Sequence, residues 1–304
     1  MNARRLLYRL ALAVIGLALT CAAADREHAT PIRELVLAPQ PGGSGQSVAQ
    51  VERGRDLLIL ARSSAGNEMW LQVTVLAQPG TRQQEATGWA PAKLAIAMSS
   101  PNAADIIFGA AVDSEIEAEK PKGRRSAPDD AQRLYQRVAQ FFPDTDSGRE
   151  ALWRAADIQW QLDRARGKKP IDETAMQNVI RKLPGTRYAD LAAYALLENQ
   201  LCGDWKGQAA CPAQEAEIYE RYAREHPRSP KAAEALYNAA WRTGVIADIY
   251  RVRNNKEQSE ASHNRALALA QELANQFPQA EWKYRAETLI YKMQKNIPLY
   301  GTSE

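Results

Sequence analysis

The sequence predicts a chain of two parts: a small all-β unit followed by an all-α stack of helical hairpins. Three observations predict it. Residues 30–97 carry short β-prone runs separated by clusters of Gly, Pro, Ser and Asn. Residues 126–297 repeat one pattern, a helix, a proline corner and a second helix. The stretch between them, 98–125, changes to Pro, Gly and runs of single-sign charge, the composition of a linker.

The first 24 residues read as a targeting segment. Arg4, Arg5 and Arg9 form a positive start, Leu10 to Leu19 an apolar core, and Ala22-Ala23-Ala24 a small-residue cleavage site before Asp25. The apolar run is too short to span a bilayer. A rival reading rests on Cys21: Ala18-Leu19-Thr20-Cys21 resembles a lipobox, whose cysteine is lipidated, although Ala and Thr depart from that pattern. An uncleaved anchor is the third reading. The chain is therefore expected to be exported, either free in a periplasm or held by lipid at an outer membrane. Removing the segment takes three arginines, so 39 Lys and Arg fall to 36, against 36 Asp and Glu. The balance gives no sign of nucleic-acid binding.

The β region contains Leu35 to Leu37, Ser47 to Val51, Asp56 to Leu60 and Met69 to Val75. Its further landmarks are a basic-Gly turn at Arg53-Gly54, the run Trp70-Leu71-Gln72-Val73, and Gly88-Trp89-Ala90 with Leu94 ending the unit. In order and spacing these residues resemble a bacterial SH3-like domain. The stretch from Leu76 to Thr87 is longer than that family's usual turn, and Lys93 stands where an aromatic is common. The resemblance implies a small barrel. Some members of the family hold cell-wall peptides, which would give Trp70 and Trp89 an aromatic groove to line. The alternative is that both indoles close the barrel's own core and flank.

In the linker, Asn102 to Glu119 has the pattern of a short helix. The acidic run Glu115 to Glu119 beside the basic run Lys120 to Arg125 reads as solvated tether. Ser126-x-x-Asp129 is a capping box opening the helical part.

The helical part is anchored by Pro143, Pro184, Pro227 and Pro278, at intervals of 41, 43 and 51 residues. Proline has no N–H to donate and drives the residue before it out of the α region, so a helix ends at each. Those preceding residues are Phe142, Leu183, His226 and Phe277, of which the histidine stands in for a packing apolar group. Eight residues after each proline lies an alanine: Ala151, Ala192, Ala235 and Ala286. Four before lie Ala139, Ile180, Ala223 and Ala274. At the third corner, Ser229 is expected to cap the next helix with Pro230 at its first position. Small residues in register let helices approach closely, and stacking buries an apolar stripe that no single hairpin can bury alone. The stretches 134–158 and 218–241 resemble the tetratricopeptide-like repeats of bacterial envelope proteins, of the outer-membrane assembly lipoprotein and Tol–Pal coordinator type. The intervals exceed that family's usual period, so longer helices or insertions must separate the units. Residues 298–304 are left as a tail.

Between the second and third corners lies LCGDWKGQAACP, with Cys202 and Cys211. In an exported chain a pair nine apart reads as a structural disulfide, ahead of free thiols or a redox pair. The histidines are His28, His226 and His263. No zinc-binding H-E-x-x-H, nucleophile elbow or Gly-rich phosphate loop is present, and Gly42-Gly43-Ser44-Gly45 precedes no helix. Glu215 and Glu217 point to different faces of their helix. Trp160, Trp205 and Trp241 fall near hairpin ends, where exposed aromatics could anchor a partner; core packing is the other reading. The resulting expectation is a non-catalytic envelope scaffold without metal or cofactor, binding a protein or peptide along its repeats. The alternatives are peptidoglycan binding through the β unit, and a hydrolase whose residues meet only in the fold.

Overall fold

The computed structural model describes residues 27–75 and 85–300. The targeting segment, Cys21 and most of the long β loop lie outside that range. The chain divides into two compact units, with the boundary between Ala103 and Ala104.

The first unit contains β1 (His28–Pro31), β2 (Leu35–Leu37), β3 (Ala49–Val51), β4 (Leu57–Ala65), β5 (Glu68–Val75), β6 (Ala86–Pro91) and β7 (Ala95–Ala97). Five strands form an antiparallel sheet in the order β6-β5-β4-β1-β7, and β2 pairs with β3 in a separate ribbon. The ribbon reaches the sheet through one bridge, Ala38 to Trp89. Edge strands β6 and β7 do not pair, so the sheet is not the closed barrel that the family resemblance implies. Alternation sets its inner face: Leu57, Leu71, Val73 and Val75 are buried together with Leu37 and Val51 from the ribbon. A bulge between Ile59 and Ala61 leaves Leu60 exposed and lets β4 run on to Ala65, past the expected end. A two-residue turn at Gly66-Asn67 then reverses the chain, with Gly66 at φ +60.

The second unit holds α1 (Ala103–Ala118), α2 (Ala127–Phe141), α3 (Asp146–Ala165), α4 (Thr174–Lys182), α5 (Arg187–Leu196), α6 (Ala210–Glu225), α7 (Ala232–Val252), α8 (Lys256–Gln276) and α9 (Trp282–Gln294). A 3-10 turn, Leu197–Gln200, follows α5. The pairs α2/α3, α4/α5, α6/α7 and α8/α9 are the four hairpins. Ala151, Ala192, Ala235 and Ala286 are each 0% exposed, so the four methyl groups sit where helices press together. The residues four before each proline are only half-buried. The buried position lies one residue earlier, at Val138, Val179, Tyr222 and Leu273. That residue's carbonyl also accepts the N–H of the residue before proline, which ends each first helix alike. Uneven helix lengths explain the uneven intervals: α4 and α5 have 9 and 10 residues, α7 and α8 have 21 each.

The corners share a second bond, from the N–H two residues past the proline back to the carbonyl of the residue before it. Thr145, Thr186, Ser229 and Ala280 donate it at 3.1, 3.3, 3.0 and 3.1 Å. Thr145 and Thr186 then cap the next helix through Oγ1, accepting from Gly148 and Ala189. Ser229 does not cap a helix starting at Pro230, because α7 begins at Ala232; its Oγ instead meets Tyr222 Oη at 2.6 Å. Ser126 makes no capping bond either. Arg124 Nη1 instead reaches Ser126 Oγ at 3.1 Å and Asp130 Oδ2 at 2.6 Å, while Asp129 lies 3.9 Å from Arg166.

The expected tether is largely structured. The Phe108 ring of α1 meets Tyr135 edge-on at 5.2 Å, and Tyr135 Oη donates to Glu115 at 2.6 Å. Glu117 takes both ends of the Arg124 guanidinium, at 2.8 Å each. The adjacent acidic and basic runs, read as solvated charge, therefore fold onto each other. The tail expectation also changes. Residues 295–299 turn back, and Leu299 packs over α7 against Gly244, where an added Cβ would lie 2.5 Å from Leu299 Cδ1. Among the described residues, no helix is long and apolar enough to cross a membrane.

Candidate functional site

The most highly organised polar centre lies where the repeat is interrupted, at residues 201–209. Cys202 and Cys211 are joined, with Cα atoms 6.0 Å apart. Beneath them Glu215, 2% exposed, accepts from the Cys202 N–H at 2.9 Å, Trp205 Nε1 at 3.2 Å and Arg242 Nε at 2.7 Å. Arg242 stands 4.5 Å from the Tyr219 ring centroid and within 6 Å of those of Trp205 and Trp241. A buried carboxylate is tolerated here because a guanidinium and two further donors satisfy it. The centre fastens the insertion to α6 and α7 and leaves no vacant polar position. Glu217, two residues on, is exposed, as its helical phase requires.

The structure separates the predicted aromatic anchors. Trp160 is buried, with Nε1 donating to Glu198 at 3.2 Å, so it serves the core of α3, α4 and α5 rather than a partner. Trp205 and Trp241, 36 residues apart in sequence, come together at 5.4 Å, and Tyr300 adds a third ring 5.7 Å from Trp205. Both are half-buried. Trp241 also lines a shallow groove between α7 and α9 with Tyr237, Tyr284, Arg285, Thr288 and Lys292. This stripe on α9 is absent from the candidate anchors, yet WKYRAETLIYK carries its periodicity openly.

In the β unit, Trp89 is half-buried at the bridge to β2. Trp70 is 7% exposed but lies outside the main apolar cluster. It sits under the glycine loop: Gly42, Gly43 and Gly45 all have positive φ, and a Cβ on Gly43 would lie 3.4 Å from the indole. A small cavity there is lined by Trp70, Gly43, Gly45, Ser47, Pro91 and Leu94. Trp70 Nε1 is buried without a hydrogen-bond partner.

Ionisable groups elsewhere serve the stack. Arg154 joins α1 to α3, reaching Glu115 at 2.8 Å, Tyr135 Oη at 3.2 Å and Glu150 at 2.7 Å. Burial, reinforced by Glu115, pushes the Tyr135 phenol well above its ordinary range. Burial likewise pushes Tyr222 up to about 12 and raises the Asp157 carboxyl. His226 stacks on Tyr222 at 4.7 Å and meets Asp190 of the preceding hairpin at 2.8 Å. His28 meets Asp56 at 2.7 Å. His263 faces a cavity of about 600 Å3 between α7, α8 and the turned-back tail. There Asp248 already holds Arg251 at 2.8 Å and the Leu299 N–H at 2.6 Å. Among the described residues, no group of three His, Cys, Asp or Glu is placed to hold a metal.

These features define the class: a helical-repeat protein carrying a small antiparallel β unit. No family model and no curated protein matches the chain. Solved structures to which it is similar include designed helical repeats. The "DHF58 filament" is 16% identical, covering 64% of this chain and 93% of its own, with a TM-score of 0.25. The "de novo designed helical repeat protein DHR64" is 17% identical over 64% and 94%, with a TM-score of 0.24.

Proposed function

We propose that this chain is a non-catalytic scaffold of the bacterial cell envelope, exported to the periplasm, that holds a protein or peptide partner on its helical repeats. The observation that carries the reading is the close packing at the four corners, where all four alanines are wholly buried. Such a stack is a rigid surface, able to hold a partner without reorganising. The use of ionisable groups supports it. Glu215, Arg242, Arg154 and Glu115 are spent on joining helices, and Asp248 on holding the tail at Leu299. The Cys202–Cys211 bond suits an oxidising compartment. Crosslinking in intact cells, followed by mass spectrometry and reading of the processed N-terminus, tests the proposal. It predicts one dominant protein adduct on the helical unit, and either a start at Asp25 or a lipidated Cys21. Recovery of the chain in the cytoplasm with a free Met1 would overturn it.

The unpartnered Trp70 N–H favours a second reading, peptidoglycan stem binding by the β unit. Retention on purified sacculi that is lost in Trp70→Phe, which keeps an aromatic ring but removes the N–H donor, would support it. Equal retention of both would count against it.

A further inference from the structure

The two terminal helices of the repeat unit carry opposite unspent charge. Helix α1 contains no basic residue. Glu115 and Glu117 are paired within the chain; Asp105 accepts from Ser147 Oγ at 2.7 Å but, like exposed Asp113, faces no cation among the described residues. On α9, Lys283 is near Glu287, whereas Arg285, Lys292 and the adjoining Lys295 face no carboxylate among the described residues. Asp105 and Asp113 on α1 thus stand opposite in sign to Arg285 and Lys292 on α9.

Both faces also leave apolar surface in water at helical spacing. Ile106 and Ile116 on α1 are 41% and 49% exposed, and Tyr284 and Tyr291 on α9 are 68% and 57% exposed. Tyr284, Thr288, Tyr291 and Lys295 lie in one stripe, with Arg285 and Lys292 along its edge. On α1, Asp105, Ile106, Gly109, Asp113 and Ile116 share one side. Gly109 is the informative residue. Glycine is the poorest helix former after proline, yet a Cβ at Gly109 would meet nothing within 4 Å. Nothing among the described residues calls for its smallness. A second helix lying close against that face does.

We propose that the chain associates head to tail with a second copy of itself, the α9 face of one copy receiving the α1 face of the next. Acid meets base, tyrosine meets isoleucine, and Gly109 admits the close approach. The two surfaces differ, so the contact is heterologous and can propagate into open chains rather than closing as a dimer. This goes beyond the proposed scaffold role and does not depend on its partner.

The test uses the chain purified after export and sedimentation velocity over a concentration series. The parent should show mass rising beyond a dimer, with the association weakened about tenfold between about 0.05 and about 0.5 M salt, because the pairs are exposed. Arg285→Glu/Lys292→Glu and Asp105→Lys/Asp113→Lys should each be monomeric, and their equimolar mixture should associate. All four positions are exposed, and melting curves check that each variant is folded. A parent that stays monomeric at every concentration overturns the proposal. So does association that either variant leaves unchanged. Capture of a poly-glutamate peptide or anionic vesicles through Lys292 by a chain that never self-associates would overturn it in favour of a foreign acidic partner.

Discussion

Replacing Glu215 by Gln should destabilise the helical unit more than any other isosteric change in it. The carboxylate is 2% exposed and satisfies three donors, of which Arg242 is 9% exposed. Breaking a buried pair from one side costs about 3–5 kcal/mol, because the remaining charge has no counter-ion. Arg242 keeps Asn238 Oδ1 at 2.9 Å and the Tyr219 ring, which places the cost near the lower end, about 3 kcal/mol. For a unit of this size that is a fall in melting temperature of roughly 6–12 °C. Urea unfolding with the disulfide intact measures it. The second arm is Glu215→Gln/Arg242→Met. With the stranded charge gone, the Gln can still serve the Cys202 N–H and Trp205, and more than half the loss should return. A single mutant within about 1 kcal/mol of the parent, or a double mutant no better than the single, would refute a buried ion pair as the fastening of the insertion.

Other consequences follow from the same packing. Ala235→Trp, at a wholly buried corner methyl, should overpack and cost about 1–3 kcal/mol, read as a lowered urea midpoint. Opening the disulfide with Cys202→Ser/Cys211→Ser should cost about 2–3 kcal/mol for so short a loop, seen by comparing melts of mutant and oxidised parent. Asp157 has its pKa raised by burial, so its charged form opposes folding at neutral pH. Asp157→Asn, which keeps an acceptor for Gln161, should melt higher than the parent at pH 7. That gain should shrink as pH falls through the raised folded pKa towards the ordinary 3.8, where both chains are neutral at this position. A gain that grows on acidification would refute the assignment.

Legibility in the sequence followed the range of the physics. The corners were readable because proline acts within one turn, and the alanines because a close helix crossing allows nothing larger. The buried residue before each proline was misplaced by one position. It is Val, Val, Tyr and Leu, so size is not its common property; the shared property is the carbonyl that ends the helix, which side chains do not advertise. Helix α1 was partly readable, since Asn102 to Glu119 already had the pattern of a short helix. What stayed hidden was its docking: Glu115 finds Tyr135 and Arg154 at separations of 20 and 39 residues. The same holds for Glu215 and Arg242, 27 apart. Trp160, near a hairpin end, could be read as core or as anchor; it is core, and Glu198 supplies its acceptor from the next hairpin. In the β unit, the Trp70 and Val73 pattern located a strand. It did not locate closure, which depends on whether edge strands β6 and β7 meet, and they do not.

The departures from the repeat are where the chain becomes particular. In the first two corners a threonine caps the following helix; at the fourth, Ala280 cannot, and α9 begins at Trp282 without a side-chain cap. Among the described residues no helix covers the outer face of α9, and its outer tyrosines and cations are exposed. The turned-back tail lies over α7 at Gly244 and reaches Trp205 through Tyr300. The insertion after the 3-10 turn is the other break, and there a disulfide and a buried ion pair replace the missing helix contacts. Regular stacking consumes apolar surface and leaves little to recognise. If the chain binds a partner as proposed, its specificity should therefore lie at α9 and at the Trp205–Trp241 end of the insertion rather than along the even middle hairpins.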